Sequence, residues 1–367
     1  MRREIVAMTV AVLLSFTGRS AWGEIRYTVT GLDVGGLSPS GINASGHVCG
    51  DYSTSSGYTH AFLYSNGIMK DLGTLPGCSE SYAEGINDSG QVVGESHNYN
   101  IGYTHAFFFS NGAMKDLGTL GSGFSWAYGI NNSGQVVGGS PTSSSGYNHA
   151  FLYSNVTMKD LGTLGGGFSD AWGINDSGQV VGSAYTSTDG DMEHAFLYSN
   201  GTMKDLGTLA SGQYSVAHYI NASGQVVGNG GVSNISGHAF LYSNGAMKDL
   251  GTLGGTNSSV SGINASGQVV GDSDTTILQN GSYRQDAFLY SNGTMTDLNT
   301  LIPSGWILNS TLGINDSGQI FAQGSYLQGQ SGYFLLTPVP EPSTLVLLGI
   351  GAISLLAYAW RRRKRMV

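Results

Sequence analysis

Between Glu24 and Pro338 the apolar positions come in short alternating runs, with no segment of helical periodicity. One run reads His-Ala-Phe-Leu-Tyr-Ser, as at His149 to Ser154. As a strand it places Ala, Leu and Ser on one side and Phe and Tyr on the other. A second run, Gln-Val-Val-Gly, precedes it, and a third, x-Met-Lys-Asp-Leu, follows. Polar tetrads punctuate these runs. Asn-x-Ser-Gly reads as a tight turn and Ser-Asn-Gly as a hairpin turn, with Gly supplying positive φ. Adding the strand that ends near Gly-Ile-Asn, each unit predicts four short strands.

The unit repeats. Gly-Ile-Asn begins at Gly41, Gly85, Gly129, Gly173, Gly262 and Gly313, with Tyr219-Ile220-Asn221 as a variant, at spacings of 44, 44, 44, 46, 43 and 51. His-Ala-Phe follows at His60, His105, His149, His194 and His238, then departs to Asp286-Ala287-Phe288 and Gly332-Tyr333-Phe334. Four strands in about 44 residues predict one blade of a β-propeller. The seventh unit stops after its third strand, near Leu336, and a spare strand begins at Tyr27. The expected fold is therefore all-β, a seven-bladed β-propeller closed by the N-terminal strand, which removes exposed sheet edges. A β-solenoid is the alternative, and it would not need matched ends.

Both termini differ from this body. Residues 1–23 carry Arg2 and Arg3, then the apolar Ile5 to Phe16, then Ala21-Trp22-Gly23, the order of a signal peptide. Residues 339–367 begin with Val339-Pro340-Glu341-Pro342-Ser343. An uncharged stretch, 344–360, then predicts a short transmembrane segment, stopped by Arg361, Arg362, Arg363, Lys364 and Arg365. Pro-Glu-Pro, span and basic tail in this order resemble the PEP-CTERM sorting signal. That resemblance implies a Gram-negative exporter of exopolysaccharide and an exosortase that cleaves near Pro340, Glu341 and Pro342. The repeats of residues 24–338 resemble the HAF-repeat extracellular proteins, which implies export and repetition and little about activity.

Composition narrows the class. Of 367 residues 58 are Gly, without the three-residue period of collagen, and only 11% are charged. Residues 24–338 hold 7 of the 15 basic and 22 of the 24 acidic side chains, so the body is near −15. A body this acidic, whose Lys recur singly inside Met-Lys-Asp-Leu, is no nucleic-acid binder. Two Cys exclude a disulfide scaffold and a four-Cys zinc site.

The repeats also separate two faces. The turns between strands one and two and between three and four are nearly constant. The loops between two and three, and between blades, vary, and variable loops on a rigid scaffold are where binding resides. Tyr99, Tyr103, Tyr147, Tyr185 and Trp306 lie in or beside those loops and are the candidate ligand contacts. Flat rings beside Asn, Ser and Asp suit the apolar faces and hydroxyls of sugars.

Other chemistry is thin. The five repeated His are too far apart around a ring to share a metal, and the repeated Asp of Met-Lys-Asp-Leu is their natural partner. Asp189, Asp191 and Glu193 are weak Ca2+ candidates that lack the EF-hand spacing. No other cofactor is expected. Glu80, Glu84 and Glu95 break the repeat and are the best acid/base set, but no catalytic residue is assigned. Cys49 and Cys78 either pair as a disulfide or stay free. The expectation is an exported, non-enzymatic surface or matrix scaffold that binds carbohydrate. A carbohydrate-active enzyme with carboxylates in the central funnel and a ligand-free spacer are the alternatives.

Overall fold

A computed structural model describes residues 26–32, 37–99, 102–121, 123–142, 146–187, 192–209, 212–233, 236–279, 282–326 and 329–339. The expected signal peptide, residues 1–23, and nearly all of the sorting segment, including the expected transmembrane stretch 344–360 and its basic tail, lie outside the described residues. No described helix is long and apolar enough to cross a membrane.

The described residues form seven four-stranded antiparallel sheets. In blade one the strands are Leu37–Ile42, Val48–Ser53, Thr59–Ser65 and Ile68–Asp71. Blades two to six run from Glu80, Trp126, Ser169, Ser215 and Gly254 to Asp116, Asp160, Asp205, Asp249 and Asp297. Blade seven has Trp306–Ile314, Ile320–Tyr326 and Gln330–Val339, and takes its fourth strand, Arg26–Leu32, from the N-terminus. That strand pairs antiparallel from Arg26 opposite Val339 to Leu32 opposite Tyr333. The first strands touch one another around the whole ring, blade seven to blade one included. This is the closed propeller that the repeat and its matched ends predict.

Each blade buries both of its faces because it is clamped between two neighbours. Ala61 and Phe62, which point to opposite sides of one strand, are both fully buried, and the pair recurs through Ala287 and Phe288. Strand two contributes the Val pairs beneath them, such as Val136 and Val137. Strand one carries a bulge before each Gly-Ile-Asn, as between Ala127 and Gly129. The bulge drives the Trp126 carbonyl toward strand two, where a Cβ on Gly138 would come within 1.9 Å of it. Only Gly fits there, which explains the Gly of Val-Val-Gly.

Three polar staples recur between blades. A buried Ser at the start of strand one accepts the Ala N–H of the preceding blade, as Ser169 accepts from Ala150 at 2.9 Å. The Asn of Gly-Ile-Asn donates through Nδ2 to the backbone carbonyl of the next such Asn, from Asn43 to Asn87 (3.0 Å) round to Asn264 and Asn315 (3.4 Å). The Lys of Met-Lys-Asp-Leu reaches an aromatic ring of the next blade, as Lys115 reaches Tyr153 Oη at 2.8 Å. Blade seven departs from this scheme. Thr296 stands where blade six would present a Lys, and Leu336 stands where blade seven would present a Tyr. Instead Leu298, Leu301, Leu308 and Leu336 join blades six and seven through an apolar core.

Candidate binding face and central channel

In a four-strand meander the loops between strands two and three and the loops between blades share one face. On it the structure exposes a tyrosine from five blades: Tyr58, Tyr99, Tyr147, Tyr214 and Tyr283, each 41–65% exposed. Tyr99 stacks on His97 at 5.3 Å, and His97 meets Tyr82 edge-on at 5.2 Å. Tyr82 in turn donates to Glu80 Oε2 at 2.9 Å. Tyr147 lies over Gly167 of the next blade, where a Cβ would sit 3.3 Å from its ring. These rings rest on rigid supports and leave surface open to solvent.

The other sequence candidates are less available. Tyr103 donates to Asp116 Oδ2 at 2.8 Å and lies on the His105 ring at 3.9 Å. Tyr185 is half-buried against Phe168 at 4.9 Å. Trp306 stacks on Tyr326 at 4.1 Å and meets Phe334 edge-on at 4.8 Å, inside the core of blade seven. Tyr58 belongs with the exposed set and sequence reasoning missed it. Its signal was present in Tyr58-Thr59-His60, the same phrase that opens strand three at Tyr103.

The repeated His are tied to the repeated Asp, as expected. His60 to Asp71 is 3.1 Å, His105 to Asp116 is 2.8 Å, and His149, His194 and His238 each reach their Asp at 2.9 Å. Burial pushes Asp71 and Asp116 upward. The Gly73 and Gly118 N–H groups, the His and the Tyr outweigh it and leave both carboxyls below the ordinary Asp value. Among the described residues no group of three or more His, Cys, Asp or Glu is placed to hold a metal ion. Asp189 and Asp191 lie outside the described residues, and Glu193 opens a strand opposite Tyr185. Cys49 and Cys78 are both unbonded in this structure. Both pack on one apolar cluster, and burial raises the Cys49 thiol to about 12.

The bulged residues of the inner strands, among them Glu84, Tyr128, Trp172 and His218, mark the central channel. Tyr128 stacks on Trp172 at 4.3 Å, and Trp172 lies 5.8 Å from His218. Burial lowers His218 to about 4. Glu84 is open to the channel, but the surrounding ring keeps much of the solvent from it; that desolvation, then repulsion from Glu95 and Asp51, raises it to about 7. Asp51 rises to about 6 through burial, offset in part by the Ala83 N–H it accepts at 2.9 Å. Asp170 rises to about 7, again through burial. Glu84 and Glu95 thus act on one another, whereas Glu80 is engaged by Tyr82. The opposite mouth of the channel, about 290 Å³, is ringed by the Ile and Asn of Gly-Ile-Asn.

Comparisons with known proteins agree with this architecture. Residues 338–364 match the PEP-CTERM protein-sorting motif, and residues 163–332 match a protein of unknown function (DUF3466). The sorting motif marks the chain for export to the cell surface and for processing by an exosortase. No curated protein matches the chain. Among solved structures, the β-propeller domain of the Trilobed protease from Pyrococcus furiosus is 8% identical, with TM-score 0.50 over 82% of this chain and 93% of that one. A puromycin-hydrolyzing peptidase from Mycobacterium tuberculosis is 10% identical, with TM-score 0.53 over 82% of this chain and 50% of that one. At these identities the likeness shows the propeller fold alone.

Proposed function

We propose that this chain is an exported, non-enzymatic binding scaffold of the cell surface or exopolysaccharide matrix, a HAF-repeat protein of a Gram-negative bacterium. Its ligand on this reading is carbohydrate. The observation that carries it is the set of five exposed tyrosines, one from each of five blades, all on the variable-loop face. A tyrosine offers an apolar ring face to the C–H surface of a sugar and a hydroxyl to its oxygens, at small entropic cost. Each contact is weak. Spacing them round a rigid ring lets a polymer engage several at once, so that avidity supplies the affinity.

Desolvation accounts for the raised carboxyls of Asp51, Asp170 and Glu84, and repulsion from Glu95 and Asp51 adds to it at Glu84.

The test is co-sedimentation of the full-length protein with the producer's own exopolysaccharide. The parent should sediment with the polymer and release no new reducing ends. A Tyr58→Ala, Tyr99→Ala, Tyr147→Ala triple variant should remain in the supernatant while melting like the parent. Equal sedimentation of parent and triple variant would overturn the reading.

A further inference from the structure

Blade six departs from the repeat where its third strand begins. Blades one to five all place His at this point, and blades one to three place Tyr two residues before it, as in Tyr58-Thr59-His60 and Tyr147-Asn148-His149. Blade six has Arg284-Gln285-Asp286. The exchange sets Asp286 near Asp297 instead of pairing a His with it. Asp286 is fully buried and bonded to the Arg284 guanidinium. Asp286 Oδ1 and Arg284 Nε are buried without a hydrogen-bond partner among the described residues. An ion pair this incompletely satisfied is costly, and stability alone does not explain it.

Above this pair opens a cavity of about 510 Å³, lined by Asn257, Asp274, Tyr283, Arg284, Gln285 and Asn309. Its volume falls within the usual range for small-ligand sites. One wall is pre-organised. Asp274 Oδ2 accepts from the Asn257 N–H at 3.1 Å, from Asn257 Nδ2 at 2.9 Å and from Thr256 Oγ1 at 3.0 Å. Asn257 Oδ1 is held by the Gly237 N–H of blade five at 3.1 Å. The lining also carries two exposed amides, Gln285 and Asn309, and the exposed Tyr283.

We propose that this cavity is a discrete saccharide pocket that takes one neutral hexopyranose unit. The proposal rests on the reading of the tyrosine face as carbohydrate-binding, and it names the site on that face where a single sugar is selected. Primary amides, a guanidinium and a carboxylate together donate and accept, as vicinal hydroxyls require. The ring of Tyr283 is placed to take the apolar face of the sugar. Charge decides against a uronic acid. Arg284 is neutralised by Asp286, Asp274 adds a further negative charge, and the body as a whole is near −15.

The experiment is a calorimetric titration of the full-length protein with methyl glucopyranoside, methyl galactopyranoside and methyl glucuronide. At least one neutral glycoside should bind, with the glucuronide roughly tenfold weaker. Gln285→Ala and Tyr283→Ala should each weaken that neutral sugar about tenfold, the equivalent of ~1.4 kcal/mol, with unchanged melting. Tyr99→Ala, in blade two, should leave it unaltered. Preference for the glucuronide, or full affinity in Gln285→Ala, would overturn the pocket. The same variants are then sedimented with polysaccharide. If the parent binds polymer but no monosaccharide, the pocket falls and the tyrosine face stands. If neither binds, both fall.

Discussion

The carboxylate of Asp170 occupies the space that a side chain on Gly139 would fill: a Cβ there would lie 1.8 Å from Asp170 Oδ1. The two residues belong to adjacent blades, and the contact buries Asp170 to 5% exposure with Asn148 Nδ2 as a distant donor at 3.3 Å. Gly139→Ala should therefore cost about 1–3 kcal/mol by overpacking. The loss should largely disappear in an Asp170→Ala background. A double-mutant cycle of denaturant melts measures this, and additive effects would show that the two do not share that space.

The same carboxylate gives stability a pH dependence. Asp170 has its folded-state value raised to about 7, Glu84 likewise to about 7, and Asp51 to about 6. A folded state that holds protons more tightly than the unfolded chain is favoured at low pH. The contribution is intact below about pH 4 and is lost as pH rises through 6 to 7, where these groups ionise inside the ring. Asp170→Asn should accordingly stabilise the protein at pH 8 by roughly 1–3 kcal/mol and change little at pH 4. An equal effect at both pH values would rule out a buried ionisation at Asp170.

Val156 occupies a position that five other blades give to Gly. Asn155 and Val156 have φ of 51° and 61°, while Gly67, Gly112, Gly201, Gly245 and Gly293 have φ of 79–84° in the equivalent turns. A β-branched residue is strained in this left-handed region, and at 78% exposure Val156 gains little packing in return. Val156→Gly should stabilise the fold by about 1 kcal/mol, a Tm gain of roughly 2 °C. A lower Tm would show that the side chain has an unrecognised contact.

The Lys pins can be ranked because one of them is already incomplete. Lys159 bonds Tyr198 Oη at 2.7 Å and lies 5.4 Å from its ring centroid. Lys70 faces Phe109 at 4.8 Å and has no hydroxyl to bond. Blades one and two still dock, so the ring contact carries much of the pin. Lys159→Ala should cost about 1 kcal/mol, and Tyr198→Phe less. Equal costs in thermal melts would assign the pin to the hydrogen bond.

How much of this was legible follows from what repetition encodes. The pairing of His149 with Asp160 could be read because both recur at fixed offsets on adjacent strands, so hairpin register brings them together. Closure could be read because a unit lacking its fourth strand has only the chain's other end to complete it. The status of individual loop aromatics could not. Trp306 is packed by Tyr326 and Phe334 from other strands of its blade, and Tyr103 turns back along its own hairpin to Asp116, side-chain directions that strand register does not encode. The exchange of Tyr and His for Arg284 and Asp286 was visible as a broken repeat. Its consequence, a buried pair beneath a cavity, needed Asn257 and Asn309 from other strands.

Closure leaves blade seven without the recurring Lys pin on either side. Blade seven is fastened to blade six by apolar packing, by the Tyr27 N–H to Leu301 O bond at 3.0 Å, and by Asn299 Oδ1 accepting from the Leu308 N–H at 2.7 Å. Its contact with blade one rests on a small cluster around Val48, Phe62 and Phe321. The N-terminal strand is therefore the element whose loss the ring tolerates least. Removing residues 26–32 would strip the edge of Gln330–Val339 and expose the core beneath Leu336, since Val29 and Leu336 are register partners. An unpaired apolar edge recruits another strand when it can. The truncated chain should melt far below the parent or elute as a domain-swapped dimer. Tyr27→Ala, which keeps the strand and removes a side chain only 3% exposed, should cost roughly 3 kcal/mol without changing the oligomeric state. A truncated monomer that melts with the parent would mean that the seventh blade is dispensable and that the ring is held by the other six.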